Sequence, residues 1–489
     1  MANLSEAAQS LSPDERRILQ VVSVVYETIN QTALQDILTQ LGWRDQRGRP
    51  LAVLVAKPLR ERLLDQRILV KQGQGFVCAP ALAEVFTRET LREGHFDRIV
   101  AVAEKVVPSK SRYHWETANE HKQMRRLRNA LYAGNEKEVL TQLGLAERGP
   151  ERPVTYSDVK RLTQICTASP DADWFATLSP RLRILALAPA MTEAGLSLTP
   201  CPELHELMEQ SLTPLVAEHP EAARALAEQA LLRGRIDEAA AILGNRITPE
   251  VLPLIGWLHL LRGRHDDAIE VFELHLTTLR RQTRKRNLAV PGLPGVMHLL
   301  ALLRRGAAGD LDRVLSQSNL IARQPVTDAC APVFQILSQL ATILAGRQRA
   351  EDAAWSRQVS ARQRPFDLLF LCLARHWLGE RPPLETLKAL AIQSEDAAKA
   401  GSFWYAWEGL DLLRLCSRPL QLAALPPPPA GLTRLTALLT PKSAWEIALD
   451  ALKGVGTASE GKAATGTDAE AGRDRRMCWV LALYGGQGT

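Results

Sequence analysis

Apolar residues recur every three to four positions in short blocks along most of the chain, and glycine, proline or a polar cap closes each block, a spacing that predicts one helix after another. Ser12-Pro13-Asp14-Glu15 opens the first helix: Ser12 supplies a cap, Pro13 fits the first position, where no amide donor is needed, and Glu15 closes a capping box. Ile18, Leu19, Val22, Val25 and Tyr26 mark one apolar face, and Asn30 breaks the pattern. A second helix fits Thr32 to Leu41, with Gly42 ending it. After the polar loop Trp43 to Pro50 a third helical segment runs toward Leu64, with Pro58 either kinking it or opening its final turns. The period then shortens to two. Ile68-Leu69-Val70-Lys71, Gln72-Gly73-Gln74-Gly75 and Phe76-Val77-Cys78-Ala79 predict strand, turn and strand of a small β-hairpin.

Three helices followed by a hairpin resemble a winged helix, a fold whose third helix can enter a major groove while the hairpin wing touches phosphates. That resemblance makes Lys57, Arg60 and Arg62 on the helix and Lys71 at the wing candidate DNA contacts. The competing reading is a domain that packs only against protein, and Glu61 and Asp65 dilute the basic face.

Further along, Leu231-Leu232-Arg233-Gly234-Arg235-Ile236-Asp237-Glu238-Ala239 returns as Leu260-Leu261-Arg262-Gly263-Arg264-His265-Asp266-Asp267-Ala268. A looser copy reads Ile343-Leu344-Ala345-Gly346-Arg347, with Glu351-Asp352-Ala353 following. Each copy joins an apolar helix end, a glycine able to take a left-handed turn, and an acid in the first turn of the next helix, where the dipole favours it. The unit is a helical hairpin. The same punctuation at Gly94 and Gly134 predicts hairpins soon after the wing. The repeat is similar to the tetratricopeptide family over residues 222–275, which implies stacked hairpins with a groove for a protein partner. The aromatic cluster Phe403, Trp404, Tyr405 and Trp407 reads as hairpin core, not as a ligand site.

Composition narrows the picture. Hydrophobic residues make up 46% of the 489 and charged residues 23%, enough to build cores, and the length predicts about three units. The N-terminus carries acids and no long apolar run, and no stretch approaches the ~20 apolar residues of a membrane span, so no membrane partner is expected and a cytoplasmic location is. The 7 cysteines are scattered without a CxxC pair and read as buried thiols. A formal net charge of +6 permits nucleic-acid contact without requiring it. The densest positive run, Arg280, Arg281, Arg284, Lys285 and Arg286, could hold phosphates by charge or could solvate a helix end. Lys122, Arg125, Arg126 and Arg128 carry the same two readings.

Catalytic motifs fail one by one. Gly456-Thr457-Ala458-Ser459-Glu460-Gly461-Lys462-Ala463 approaches a phosphate-binding loop, but Ala463 replaces the hydroxyl that would hold magnesium and Glu460 would repel phosphate. His205-Glu206-Leu207-Met208-Glu209 begins like a zinc-protease helix and has Glu209 where the second histidine belongs, and Gly195 to Thr199 lacks the second glycine of a nucleophile elbow. No catalytic residue, metal or cofactor is expected.

The expected fold is therefore mainly α, an N-terminal winged helix at 1–85, a helical connector with hairpins at 86–215 and a tetratricopeptide-like α-solenoid at 216–450. Pro426 to Pro429, a flexible linker at 451–474 and an isolated apolar strand at 475–489, centred on Met477 to Tyr484, follow. That order, with the stretch Trp257 to Leu303 and its Pro291-Gly292-Leu293-Pro294-Gly295, resembles the N-terminal region of bacterial SWI/SNF-type ATP-dependent DNA translocases. The resemblance implies a non-catalytic region that contacts DNA weakly, through phosphates, or a protein partner such as the ATPase module, and positions that motor. A free-standing winged-helix regulator and a protein-binding scaffold are the alternatives.

Overall fold

The computed structural model describes residues 8, 10–54, 57–109, 120–143, 165, 171–322, 330–349, 364–380 and 382–416. The motif at Gly456 to Ala463, the strand at Met477 to Tyr484, the linker, Pro426 to Pro429 and Glu351-Asp352-Ala353 lie outside these. The protein is mainly helical, and its contacts divide it into two compact units, residues 1–190 and 191–489.

In the first unit α1 spans Pro13–Val25, and the capping box at its start is formed, with Ser12 N donating to Glu15 Oε2 at 2.9 Å and Glu15 N to Ser12 Oγ at 3.3 Å. Every residue from Ile18 to Val25 is buried, Gln20 and Ser23 included, so α1 is a central helix and not a one-faced surface helix. Asn30 caps α2 (Gln31–Leu41), and Gly42, at φ 65°, ends it. A short 3-10 turn, Leu51–Leu54, precedes α3 (Lys57–Asp65), in which Pro58 lies in the first turn. Strands β1 (Leu69–Gln72) and β2 (Gly75–Cys78) pair antiparallel, Leu69 opposite Cys78, around the two-residue turn Gly73-Gln74. Ile29 bridges to Phe76 and ties the hairpin to the chain just before α2. Helix α4 (Pro80–Arg92) packs on α1, and the boundary expected after residue 85 falls inside it. Then follow α5 (Phe96–Val106), α6 (Glu120–Tyr132), α7 (Glu136–Gln142), α8 (Ala172–Thr177) and α9 (Pro180–Ser197), whose residues from Met191 on belong to the second unit.

The basic cluster on α6 departs from both expectations, phosphate contact and a solvated helix end. Arg125 and Arg128 are fully buried, and neither solvates a helix end nor faces a phosphate. Arg128 Nε donates to both oxygens of Glu84 at 2.8 and 3.0 Å, Nη1 to the Ser23 carbonyl at 2.7 Å and Nη2 to the Ala83 carbonyl at 2.9 Å. Its guanidinium lies over the rings of Tyr26 and Tyr132 at 4.3 and 5.2 Å, and the Tyr132 hydroxyl donates to Glu84. Burial, with Glu84 beside it, drives the Tyr132 pKa well above its ordinary value. Arg125 bonds Glu27, Glu104 and the Val107 carbonyl, and Arg126 pairs with Glu138 at 3.0 Å. The buried guanidinium of Arg128 is tolerable because its donors are met in this way, whereas Arg125 keeps a buried Nε with no hydrogen-bond partner among the described residues.

The second unit contains α10 (Pro202–Leu212), α11 (Pro220–Leu232), α12 (Ile236–Leu243), α13 (Leu252–Leu261), α14 (His265–Thr283), α15 (Gly292–Arg305), α16 (Asp310–Ala322), α17 (Ala331–Leu344), α18 (Pro365–Trp377), α19 (Leu384–Lys399) and α20 (Phe403–Cys416). One turn recurs across both units. At Gly94, Gly134, Gly234, Gly263, Gly346, Gly379 and Gly401 the glycine has a positive φ of 64–78°. The amide after each glycine returns to the carbonyl five residues back, as in Arg235 to Ala230 at 2.8 Å and Arg264 to His259 at 3.0 Å. This ends one helix with its carbonyls satisfied and, at the first repeat copies, starts the next two residues after the glycine. At Gly94, Gly134, Gly346 and Gly379 a Cβ would meet nothing within 4 Å, so backbone conformation alone demands glycine.

The helices do not leave an empty inner face. Helix α20 packs on α11, Trp404 meets Trp257 of α13 edge-on at 6.3 Å and stacks on Phe366 of α18 at 6.0 Å, and Glu408 lies 3.7 Å from Arg304 of α15. Trp257 and Tyr405 are fully buried, and Phe403 and Trp407 pack against the same core, as expected for the aromatic cluster. Of the described cysteines, Cys78, Cys330, Cys372 and Cys416 are buried thiols and Cys201 is half-buried. Burial pushes the thiols of Cys78 and Cys372 up to about 12. Cys166 and Cys478 lie outside the described residues.

The glycine turns and the buried histidines both have measurable consequences. Replacing Gly263 with Ala forces an L-residue into the left-handed region and should lower unfolding free energy by about 1–2 kcal/mol in a urea titration, with Asn in its place costing less. The histidines are His205, His275 and His298, which burial drives down to about 4, 4 and 3, with nearby Arg233 adding to the effect at His205 and Arg313 at His298. The unfolded chain, with histidine near 6.5, binds more protons below that pH, so stability is full above about 6.5 and falls as pH drops toward 4. Each histidine contributes up to about 1.4 kcal/mol per pH unit. A melting temperature unchanged between pH 7 and pH 4.5, or lowered no further than in the triple His→Gln variant, would contradict this.

Candidate nucleic-acid interface

The basic residues singled out in the sequence fall into two places with different surroundings. In the first unit Lys57 opens α3. Arg60, half-buried, donates from Nη1 to Gln31 Oε1 at 2.9 Å and so binds α3 to the start of α2. Arg62 pairs with Glu15, whose other oxygen holds the capping box of α1. Arg60 is thus engaged within the unit, and Arg62, exposed, forms a surface ion pair there. Lys71, on β1 opposite Phe76, is exposed and forms no ion pair among the described residues. Glu61 and Asp65 are exposed on α3, and their charges oppose the cations of this face.

The second place is the end of α14. Arg280 and Arg281 lie in its last turn, and Arg284 caps it with φ 57°, a left-handed conformation uncommon outside glycine. Arg280 Nε donates to the Arg286 carbonyl at 3.2 Å and the Lys285 amide to Thr283 Oγ1 at 3.3 Å, which fold the following chain back onto the helix end. Five cationic side chains thus surround one helix terminus. Arg280 is half-buried and Arg281, Arg284, Lys285 and Arg286 are exposed. None makes an ion pair among the described residues, and no acidic residue occurs between Glu273 and Asp310.

Other arginines of the unit behave differently. Arg235 lies 3.3–3.4 Å from Glu209 and Glu238, Arg305 meets Asp310 at 2.6 Å, and Arg347 meets Asp312 at 2.5 Å. The carboxyl of Asp310 is held below its ordinary value: its burial opposes this, and the Arg305 and Ala307 hydrogen bonds outweigh it. The α14 terminus differs from these in gathering five cations with no carboxylate partner among the described residues. Its carbonyls carry partial negative charge, so one consequence of the run is favourable interaction with the helix dipole. Five charges exceed what a half-charge requires, and the excess leaves a positive potential at this helix end.

The rejected catalytic motifs have ordinary structural surroundings. His205 and Glu209 sit one turn apart on α10 with Nδ1 3.4 Å from the carboxylate, an intrahelical contact. Ser197 Oγ is bonded to the Glu193 carbonyl and to Thr199 Oγ1. Among the described residues no group of three or more His, Cys, Asp or Glu side chains is placed to hold a metal, and no helix is long and apolar enough to cross a membrane. No family model matches the chain, and neither a curated protein nor a solved structure matches it.

Arginine modification separates the two kinds of basic residue. Treating the folded protein with phenylglyoxal and mapping adducts by mass spectrometry should show Arg281, Arg284 and Arg286 modified first. Arg125 and Arg128 should react only as the unit opens. Early adducts at Arg128 would contradict its buried assignment.

Proposed function

We propose that the chain is a non-catalytic interaction region that contacts nucleic acid through phosphates and positions a DNA-translocase motor of the SWI/SNF type. In this reading residues 1–85 are a winged helix and residues 216–450 a tetratricopeptide-like array. The observation that carries the proposal is the end of α14, an acid-free segment holding five basic side chains, four exposed and none ion-paired among the described residues. Arginine recognises phosphate by paired hydrogen bonds as well as by charge. The segment contributes no aromatic side chain to stack on bases, so contact there is with the backbone of the duplex and tolerant of sequence.

On the first unit, Arg60 and Arg62 are spent on Gln31 and Glu15, leaving Lys71 as the side chain best placed for phosphate at the wing. That arrangement supports a wing that adds to binding and does not direct it. The array supports a role in holding protein. Because α20 covers α11, α13 and α15, a partner is better received at the rims and turns of the array than along its inner face. The motor is named by resemblance of the chain's order of segments, and a protein-binding scaffold without DNA contact is the alternative.

Fluorescence anisotropy with two unrelated labelled duplexes tests the reading. Binding should be weak, similar for both sequences, and steeply weaker between about 50 and 200 mM salt, as counterion release requires. Changing Arg280, Arg281, Arg284, Lys285 and Arg286 together to Gln should lower affinity and flatten the salt slope by about 0.9 for each phosphate no longer neutralised. Lys71→Gln should have a smaller effect. Binding unchanged in the five-residue variant would return the segment to the role of a solvated helix end.

A further inference from the structure

A second feature of the array concerns a different ligand and is independent of the DNA reading. Where the α9–α10 connection approaches the end of α11 and the turn from α19 into α20, there is a recess of about 20 Å³ lined by Thr199, Cys201, Gln229, Arg233 and Ser402 among others. It shares Leu198 and Thr199 with a wider cleft of about 300 Å³ that runs past Pro365, Gln393 and Asp396.

Three observations meet in the recess. The Arg233 side chain, half-buried at the end of α11, makes no hydrogen bond or ion pair among the described residues, while Arg235 two positions on pairs with both Glu209 and Glu238. Its guanidinium lies against the backbone of the last glycine turn, since a Cβ built on Gly401 would come within 2.9 Å of Nη1. Ser402, 6% exposed, begins α20, and its Oγ has no hydrogen-bond partner.

A serine at this position ordinarily accepts from an amide of the first turn. Here the Ala406 amide returns to the Ser402 carbonyl at 3.1 Å and the hydroxyl is left over. The start of a fourteen-residue helix, a spare buried hydroxyl and a spare guanidinium thus converge. Burial, and then the neighbouring Arg235, hold the Arg233 pKa below its ordinary value, against the opposing pull of Cys201, Glu209 and Glu238.

We propose that Arg233 and Ser402 form an anchoring site for the carboxylate of a peptide whose adjoining residues lie in the wider cleft. A recess of about 20 Å³ takes the edge of a planar two-oxygen group, which a guanidinium grips as a fork. A tetrahedral phosphate needs more room than this recess offers, while the cleft beyond carries both Asp396 and Lys399, 4.0 Å apart, and so does not itself decide the anion's charge. The site serves a partner's chain terminus or an acidic side chain.

Saturation-transfer NMR on the full chain tests this with acetyl-trialanine as the free acid, the same peptide as the C-terminal amide, and inorganic phosphate followed by ³¹P line width. The acid should bind, the amide at least about tenfold more weakly, a difference of about 1.4 kcal/mol. Arg233→Gln and Ser402→Ala should each lose binding by a similar factor with thermal melts unchanged, and Arg233→Lys should fall between. Should Arg233→Gln fail to fold, Ser402→Ala and the acid-to-amide comparison still decide. Equal binding of acid and amide, binding indifferent to both substitutions, phosphate bound more tightly than the acid, or no binding of the acid would each overturn the proposal.

Discussion

A helix that must end and reverse within two residues has to satisfy its last carbonyls while turning the chain, and a single left-handed residue accomplishes both. The fold depends on that constraint. The turn at Gly94 joins α4 to α5, Gly134 joins α6 to α7, Gly234 joins α11 to α12, Gly263 joins α13 to α14, and Gly401 joins α19 to α20. At α13 and α14, and at α19 and α20, the reversal packs the two helices along much of their lengths, whereas α4 and α5 part after Gly94 to pack on α1 and α2. Alanines such as Ala223, Ala227, Ala239 and Ala268 lie fully buried in these pairs, where small side chains allow close approach. The core of the second unit is a consequence of turns that fix which faces meet.

Because that constraint is local, much of it is legible in the sequence. The Leu-Leu-Arg-Gly-Arg copies at 231–235 and 260–264 announce their turns, as do the capping box at Ser12 and the hairpin around Gly73. Gly379 and Gly401 make the same turn without the surrounding repeat, and their flanks, Leu378 and Glu380 or Ala400 and Ser402, give no comparable signal. The basic run at 280–286 is legible as a run because its members are contiguous. Its freedom from carboxylates is a tertiary fact, since Arg305 and Arg347 look no less exposed in sequence and are paired.

Arg128 shows what periodicity cannot convey. On α6 it belongs to a string of cations that in isolation reads as a wetted surface, yet it is among the most buried side chains of the first unit. Its partners come from Ser23 on α1 and from Ala83, Glu84 and Thr87 on α4, so one guanidinium ties three helices together. Taking the pair Arg128 and Glu84 out of water costs several kcal/mol per ion, and the arrangement holds because carbonyls and two tyrosine rings supply what water supplied. Such a cluster adds specificity of packing more than net stability, because each donor is satisfied in only one mutual placement of α1, α4 and α6.

The recess at Arg233 arises from the same turn used twice. Arg233 precedes Gly234 and Ser402 follows Gly401, so two equivalent turns, far apart in the chain, face one another once α20 packs on α11. At most of these turns the space beside the glycine is empty and the left-handed φ alone excludes other residues, whereas at Gly401 the missing side chain also makes room for Nη1 of Arg233. The glycine therefore has two functions at that one place, ending α19 and admitting a cation to the start of α20. A helix start whose serine hydroxyl leaves the first-turn amides uncapped keeps the positive end of its dipole uncompensated by its own fold, and this is the potential the proposed carboxylate would meet.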